Sequence, residues 1–208
     1  MYGKEVWDKI YDENFGKAPW LNESWAKESI KIISPYFSEK ISKSSLVLDY
    51  GCGNGAIGIY LNSLGYNVEF AEISHVMVKW LKENKKILMP VHEVQYPKEL
   101  GKNKYDVVLV WGVFHHIKFD YWTEYLIEFF HIMKEGGIMI IGGWDESDVV
   151  LKDEYNIGRF TNESVWNISK LVNYARNVGF TELYNYVEKI EVKPFEKDRS
   201  FRVLVIRK

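Results

Sequence analysis

The sequence predicts an α/β fold: a seven-stranded, mostly parallel sheet that ends in an antiparallel hairpin and carries helices on both faces. Two observations predict it. Apolar runs alternate with segments of helical periodicity from residue 45 to residue 180, the order that builds a parallel sheet from strand–helix–strand units. The last two apolar runs follow each other without a helix, so those strands must be antiparallel if they pair.

The individual elements follow from hydrophobic periodicity. Strands are predicted at residues 46–50, 67–72, 91–94, 105–111, 138–141, 181–192 and 201–207, and helices at 4–14, 22–35, 57–64, 75–81, 121–133 and 164–178. The second helix is predicted to begin at Asn22 as N-cap and to end at Pro35. The pair Gly136-Gly137 is predicted to end the fifth helix.

Composition indicates one soluble domain. The chain has 208 residues, of which 47% are hydrophobic and 27% charged, and a net charge of −2, so residues 1–208 are expected to form one domain. Within it, residues 1–44 are a helical cap and 45–208 the core. Without a basic run, nucleic acid is not an expected partner. Cys52 is the only cysteine, which excludes an internal disulfide. No stretch is apolar enough for a membrane span. We expect a cytoplasmic protein that is a monomer or a homodimer.

A glycine-rich loop follows the first predicted strand, and the rest of the chain is arranged around it. Gly51, Gly53 and Ala56 have the spacing of the dinucleotide-binding fingerprint, and Glu72 lies near the ~20-residue offset of its ribose-binding acid. This pattern predicts a Rossmann-like, doubly wound sheet. A nicotinamide dinucleotide is one candidate ligand.

Asp49 favours a different ligand. A carboxylate two residues before the first glycine repels a pyrophosphate but suits a ligand that carries an ammonium and a sulfonium, as S-adenosylmethionine does. Asp49-x-Gly51-x-Gly53 after an apolar strand resembles motif I of the class I S-adenosylmethionine-dependent methyltransferases. Tyr105-Asp106, followed by a turn that ends in two histidines, is similar to their motif IV.

The first residues carry a second, shorter resemblance. Trp7-Asp8-x-x-Tyr11, followed by Pro19-Trp20, resembles the leader of small-molecule methyltransferases of the thiopurine and tellurite-resistance type. Residues 1–21 are therefore a candidate substrate lid, with two helices on the sheet edge as the alternative. The aperiodic, acidic and aromatic stretch 142–160 is a second candidate for selecting the substrate, with a short charged helix as its alternative.

The resemblance implies a set of cofactor contacts at the ends of the first four strands. They are assigned to the methionine part (Asp49 and the Gly51, Cys52 and Gly53 backbone), the ribose (Glu72), the adenine (Ile73, Glu93, Val94) and the sulfonium (Trp111). Glu72 is expected to accept both ribose hydroxyls, and Trp111 to contact the sulfonium through a cation–π interaction. The backbone N–H that donates to adenine is expected at Val94, or at Gln95 if the strand register is shifted by one residue. It implies in-line transfer of the sulfonium methyl group to a small-molecule O, N or S nucleophile. Because the leaving group is a neutral thioether, positioning can supply most of the catalysis.

His115 and His116 are the candidate catalytic residues. Either imidazole can act as a general base or orient a substrate, since histidine titrates near neutrality. Adjacent residues at a strand end tend to diverge, so a shared metal is not expected. The alternative is that both histidines only bond to backbone.

Two other classes of function stay open at this stage. An NAD(P)-dependent oxidoreductase uses the same glycine loop and Glu72 but leaves Asp49 unexplained. A non-catalytic S-adenosylmethionine-binding protein keeps both acids without turnover.

Overall fold

Six α-helices and seven strands make up the part of the chain that a computed structural model describes, residues 3–14, 21, 23–83, 87–144, 168–190 and 199–208. The helices are α1 (Lys4–Asn14), α2 (Glu23–Lys40), α3 (Ala56–Ser63), α4 (His75–Glu83), α5 (Trp122–Ile132) and α6 (Ile168–Val178). The strands are β1 (Leu46–Tyr50), β2 (Asn67–Glu72), β3 (Val91–Glu93), β4 (Tyr105–Trp111), β5 (Met133–Trp144), β6 (Thr181–Ile190) and β7 (Arg199–Arg207).

All seven strands belong to one sheet, in the order β3-β2-β1-β4-β5-β7-β6. The pairs from β3 through β5 are parallel, whereas β7 runs antiparallel to both β5 and β6. This confirms the Rossmann-like α/β fold with its closing hairpin. The strand order reverses between β1 and β4. Open sheets of this kind bind ligands outside the carboxyl ends of the strands at such a reversal, which is where the glycine loop lies.

Apolar cores cover both faces of the sheet, as the unbroken apolar strands require. Neighbouring residues of β1 point to opposite faces: Val47 joins the core that contains Phe37 of α2, and Leu48 joins the core that contains Phe129 of α5. The sheet is therefore held rigidly between helices, and the loops at its carboxyl end inherit that rigidity.

The predicted end of the second helix at Pro35 is wrong, because α2 continues to Lys40. A proline inside a helix removes one backbone hydrogen bond, and tertiary contacts outweigh that loss here. Phe37 is fully buried and packs edge-on against Tyr66 at 5.3 Å between ring centroids. The Tyr66 hydroxyl donates to the Phe37 carbonyl at 2.8 Å, which fixes the turn that follows the proline.

The predicted role of Gly136-Gly137 is also wrong. Helix α5 ends at Ile132, and β5 begins at Met133, before the two glycines. Gly136 has φ +74°, and the β4–β5 register shifts between Tyr105 and Val107. The glycines therefore form a bulge within the strand, where a positive φ favours glycine.

Several predicted features lie outside the described residues. They are the Asn22 cap, Pro19-Trp20, most of the stretch 142–160, the first turn of the helix predicted from residue 164, and most of the hairpin connection. In the described part of the chain, no helix combines the length and the apolar character needed to cross a membrane.

A substitution at Gly58 tests the close packing of α3 on the sheet. A Cβ atom at this position would lie 2.4 Å from the Phe70 ring and 2.8 Å from Oδ2 of Asp49. We expect Gly58→Val to lower the free energy of unfolding by about 1–3 kcal/mol through overpacking, measured by chemical denaturation. Gly3→Val is the control, since no atom lies within 4 Å of that position. Equal effects of the two substitutions would contradict this packing.

Candidate functional site

The amides of the glycine loop bond to the end of β2. The N–H groups of Gly51 and Cys52 donate to the Ala71 carbonyl at 2.8 and 3.1 Å, and the Gly53 N–H donates to Oε2 of Glu72 at 2.8 Å. Gly51 and Gly53 have φ of +67° and +52°, values that favour glycine. These three amides are therefore engaged within the protein.

Glu72 is buried and joins the glycine loop to the start of α4. Its Oε1 accepts from the amides of Ile73 and Ser74 at 2.9 and 3.1 Å. A carboxylate has about four acceptor positions, and the Gly53 bond brings the number in use here to three. Burial raises the pKa of Glu72, and the three amide bonds oppose that rise without cancelling it. One further donor can be accepted without breaking a bond.

Asp49, in β1, is a second buried carboxylate, and its side chain reaches the first turn of α3. Its side chain is 2% exposed, and Oδ2 accepts from the Gly58 amide at 3.0 Å. The carboxylate thus satisfies an amide of the first helical turn, which has no partner inside the helix. Burial raises the pKa of Asp49 to about 7; the Gly58 bond opposes this rise, and the nearby charge of Glu72 adds to it.

Helix α1 is attached to α4 and β3 by polar contacts. Oδ1 of Asp8 accepts from the Ser74 hydroxyl at 2.6 Å and from the Val76 amide at 3.2 Å. At the first turn of α1, Lys4 pairs with Glu93, and Nδ1 of His75 lies 2.8 Å from the other carboxylate oxygen of Glu93. These contacts place α1 across the carboxyl ends of β2 and β3.

The aromatic side of α1 reaches the glycine loop and the turn after β4. The Tyr11 hydroxyl lies 3.5 Å from where a Cβ on Gly53 would be. One helical turn earlier, the Trp7 ring packs edge-to-face with His116, 4.9 Å between centroids. Trp7 and Tyr11 are 6.0 Å apart, so one turn of α1 spans the two parts of the site.

The turn after β4 carries His115 and His116 on a short 3-10 helix, residues 114–116. It touches the glycine loop, because a Cβ on Gly51 would lie 2.4 Å from Cγ2 of Val113. The two imidazole rings are 4.1 Å apart. Within the described part of the chain, the buried Nδ1 atom of each histidine has no hydrogen-bond partner.

Both histidines are held in the neutral form. Burial lowers the pKa of His115 to about 4. Burial, and then the proximity of His115, lowers the pKa of His116 well below its usual range. The alternative prediction is that both imidazoles only bond to backbone. Among the described residues, neither Nδ1 atom has such a partner.

Not every residue predicted to bind the cofactor meets at this loop. The structure brings together Asp49, Gly51, Cys52, Gly53, Glu72 and Ile73. The Val94 amide, predicted as a donor to adenine, instead donates to the Glu72 carbonyl at 3.0 Å. The Gln95 amide, which the strand register left as an alternative, donates to Glu99 at 2.9 Å. If Val94 or Gln95 contacts adenine, the contact must use atoms other than the backbone N–H.

Trp111 points into the core beneath α2. Its indole N–H donates to the Ser29 hydroxyl at 2.9 Å, and its ring stacks on Phe201 at 4.7 Å. These contacts account for the buried ring without a ligand. The cation–π role assigned to Trp111 stays a prediction.

Sequence reasoning did not assign Asp8, Lys4, Ser74 or Val113 to the site. Asp8 lies inside the Trp-Asp-x-x-Tyr pattern, and that pattern was the one signal available for it. The other three act through contacts across the fold that periodicity does not encode. Across the described residues, no group of three His, Cys, Asp or Glu side chains is placed to hold a metal ion.

Comparison with known proteins identifies the family. Residues 23–185 match a sequence profile described as a methyltransferase domain, which is more than half of the chain. The chain belongs to this methyltransferase family. The match confirms the resemblance to the class I S-adenosylmethionine-dependent methyltransferases and decides against the oxidoreductase alternative. A search of curated proteins finds no significant match.

Solved methyltransferase structures share the fold of this methyltransferase. A 1,6-didemethyltoxoflavin-N1-methyltransferase of Burkholderia thailandensis, with bound 1,6-didemethyltoxoflavin and S-adenosylhomocysteine, aligns at TM-score 0.72 and 16% identity over 100% of this chain and 91% of its own. Magnesium protoporphyrin IX methyltransferase of Synechocystis, with bound S-adenosylhomocysteine, gives 0.68 and 18% over 98% and 93%. An Archaeoglobus fulgidus S-adenosylmethionine-dependent methyltransferase gives 0.71 and 16% over 96% and 99%.

The raised pKa of Asp49 predicts a pH dependence of stability. Between the usual value of 3.8 and about 7, the folded protein keeps a proton that the unfolded chain has released. The free energy of unfolding therefore falls as pH rises through this window, by at most ~1.4 kcal/mol per pH unit. Asp49→Asn removes the titration and keeps an oxygen for Gly58. We expect the melting temperature of the variant, relative to the wild type, to rise from pH 4 to pH 8.

Asp106→Asn is the control of opposite sign. Burial raises the pKa of Asp106, but the Leu46 amide and Lys134 outweigh it and lower the pKa. The relative melting temperature of this variant should fall as pH rises through the usual value of 3.8 and level off by about pH 5. If the melting temperature of Asp49→Asn relative to the wild type stays constant or falls as pH rises, the pKa of Asp49 is not raised.

Proposed function

We propose that this methyltransferase binds S-adenosylmethionine at the glycine loop and transfers the methyl group to a small-molecule nucleophile. The observation that carries the proposal is the pair of buried carboxylates, Asp49 and Glu72, that meet at this loop. Burial raises the pKa of both; the charge of Glu72 adds to the rise at Asp49, and the charge of Asp8 adds to the rise at Glu72. A cationic ligand relieves that cost, since an opposite charge favours the ionised form.

The same geometry argues against a dinucleotide. A pyrophosphate binds to free amides at a helix N-terminus, whereas here the amides of Gly51, Cys52 and Gly53 donate within the protein. The Gly58 amide, in the first turn of α3, donates to Asp49. An anionic ligand would be repelled by these carboxylates or would have to displace them from the amides, whereas an ammonium or a sulfonium is attracted to them.

The residues of the loop fit the parts of the proposed cofactor. Asp49 and the Gly51–Gly53 backbone hold the methionine end, with the Cys52 thiol protonated because burial raises its pKa well above the usual value. Glu72 keeps one acceptor position for a ribose hydroxyl, rather than the two predicted from the sequence. Ile73, Glu93 and Val94 are proposed to border the adenine, and Trp111, whose ring is packed in the core, to contribute to the sulfonium site from beneath. The cofactor supplies an electrophilic methyl group.

Residues 1–44 are proposed to act as a lid on a core formed by residues 45–208, in one domain. Helix α1 is fastened by the Asp8 and Lys4 contacts and crosses the strand ends that border the glycine loop. A site closed by a helix suits an acceptor small enough to be enclosed. The names of two similar structures, which refer to didemethyltoxoflavin and magnesium protoporphyrin IX, support a small acceptor by analogy.

Calorimetric titration tests the cofactor. We expect micromolar binding of S-adenosylmethionine and S-adenosylhomocysteine and no binding of NAD. Asp49→Asn should weaken the binding of S-adenosylmethionine by roughly tenfold or more, because a charge-assisted contact is lost. Glu135→Gln, which removes an exposed acid on β5, should leave the affinity unchanged. Binding of NAD alone would overturn the proposal, and equal losses in both variants would remove Asp49 from the site.

The lid is tested through Asp8. Asp8→Ala removes the acceptor for the Ser74 hydroxyl and the Val76 amide, so we expect faster hydrogen exchange in α1 and roughly tenfold faster dissociation of S-adenosylmethionine. Asp12→Ala is the matched control, since Asp12 is an exposed acid on the same helix. Faster exchange without faster dissociation would mean that α1 does not retain the cofactor.

A further inference from the structure

We propose that the methyl acceptor is an uncharged aromatic molecule with a hydroxyl or ring N–H group, held against the contacting rings of Trp7 and His116 with that group donating to Nδ1 of His116. The inference rests on the proposed function and names the acceptor class of the same site. Three observations carry it: the position of the histidine pair, its buried nitrogen atoms without partners, and the charge around it.

The histidine pair lies beside the proposed methionine subsite. Val113, two residues before His115, touches the backbone of Gly51. On the opposite side, Tyr11 reaches Gly53, and Trp7, one helical turn away, reaches His116. The pair and the glycine loop thus both lie against α1, and the acceptor is proposed to bind beside them, as in-line attack on the methyl group requires.

The buried nitrogen atoms point to a polar ligand. Buried polar side-chain atoms in proteins nearly always have a hydrogen-bond partner. Here two adjacent Nδ1 atoms, on His115 and His116, have none within the described part of the chain. With the proton on Nε2, Nδ1 is an acceptor, and a ligand O–H or N–H completes it. His116 takes this role because its ring is the one that contacts the Trp7 side chain.

The surrounding charge selects an uncharged ligand. Asp8, Asp49 and Glu72 are the acids at or next to the glycine loop, and Glu93 lies at the end of β3 beside α1 with Lys4 and His75 as partners. An anionic acceptor such as a carboxylate meets repulsion from the buried pair. A neutral imidazole offers an anion no compensating charge, and the lowered pKa values of His115 and His116 keep both rings neutral near pH 7.

The proton balance of the reaction assigns a task to the imidazole. As the acceptor's oxygen or nitrogen forms its bond to the methyl carbon, the carbon–sulfur bond breaks and its electron pair stays on sulfur. The X–H proton becomes strongly acidic as that bond forms, so an imidazole of low pKa accepts it late in the step. The proton then passes from Nδ1 to solvent after the products leave. An acceptor that is already ionised needs no such base.

A probe series tests the inference without knowledge of the natural acceptor. Protein saturated with S-adenosylhomocysteine is titrated with phenol, anisole and benzoate, followed by calorimetry and by the histidine ¹⁵N signals. We expect phenol to bind at millimolar concentration, roughly tenfold more tightly than anisole, which lacks the donor, with benzoate weakest. Binding should shift the Nδ1 signal of His116. Equal affinities of phenol and anisole, a preference for benzoate, or no binding of phenol would overturn the inference.

Variants identify the acceptor atom. His116→Leu should abolish the preference for phenol over anisole, and His116→Asn, which restores a polar atom near Nδ1, should recover part of it. His131→Leu is the control, because His131 is an exposed histidine on α5. Affinity for S-adenosylhomocysteine and the melting temperature report whether each variant is folded. If His115→Leu abolishes the preference and His116→Leu does not, the assignment to His116 is wrong.

The two proposals fail in distinguishable ways. If S-adenosylmethionine binds but phenol shows no preference, the function stands and the acceptor class falls. If S-adenosylmethionine does not bind, the function itself falls. With an aromatic acceptor that is turned over at saturating S-adenosylmethionine, kcat/KM for the acceptor should be flat from pH 6 to pH 9, because both imidazoles are already neutral and the bound cation keeps Asp49 ionised. A break near the usual histidine pKa would contradict the neutral pair.

Discussion

The bond from the Gly53 amide to the Glu72 carboxylate is the contact on which the rest of the site depends. It joins the loop after β1 to the end of β2, and the other oxygen of the same carboxylate fixes the amides of Ile73 and Ser74. Ser74 immediately precedes α4 and donates its hydroxyl to Asp8 of α1. Because α1 is held there, Trp7 rests on His116. One buried acid therefore connects the glycine loop, helix α1 and the histidine pair.

The site keeps its carboxylates at a cost to the stability of the fold. Two acids are buried close together, and amide bonds offset only part of the free energy that burial removes from their ionised forms. Functional sites commonly hold groups with such displaced pKa values. A cationic ligand recovers part of this free energy on binding. In the proposed function, the cost of burying Asp49 and Glu72 and the attraction for a cationic ligand therefore have the same origin.

Much of the fold could be predicted from the sequence, because it depends on local patterns. The apolar run 105–111 and the glycine loop are visible in the residues themselves, and both occur as predicted. The prediction that α2 ends at Pro35 is wrong, because the contact between the buried residues Phe37 and Tyr66, which are distant in sequence, keeps the helix intact beyond the proline. In the site, Asp49 and Glu72 were found from motif spacing. The Asp8 contact with Ser74 links residues 66 positions apart, and no local pattern encodes such a pair.

The distribution of charge explains how one site can serve both binding and release. In the proposed complex the carboxylates at the glycine loop attract the cationic cofactor, and methyl transfer turns its sulfonium into a neutral thioether, so the attraction at that atom ends with the reaction. A cationic histidine beside the acceptor would weaken the same attraction before the reaction. Burial of His115 and His116, which holds both rings neutral, avoids that repulsion and leaves a lone pair for the acceptor proton. The acids and the neutral imidazoles are thus two parts of one electrostatic arrangement, negative where the cofactor binds and uncharged where the acceptor is proposed to lie.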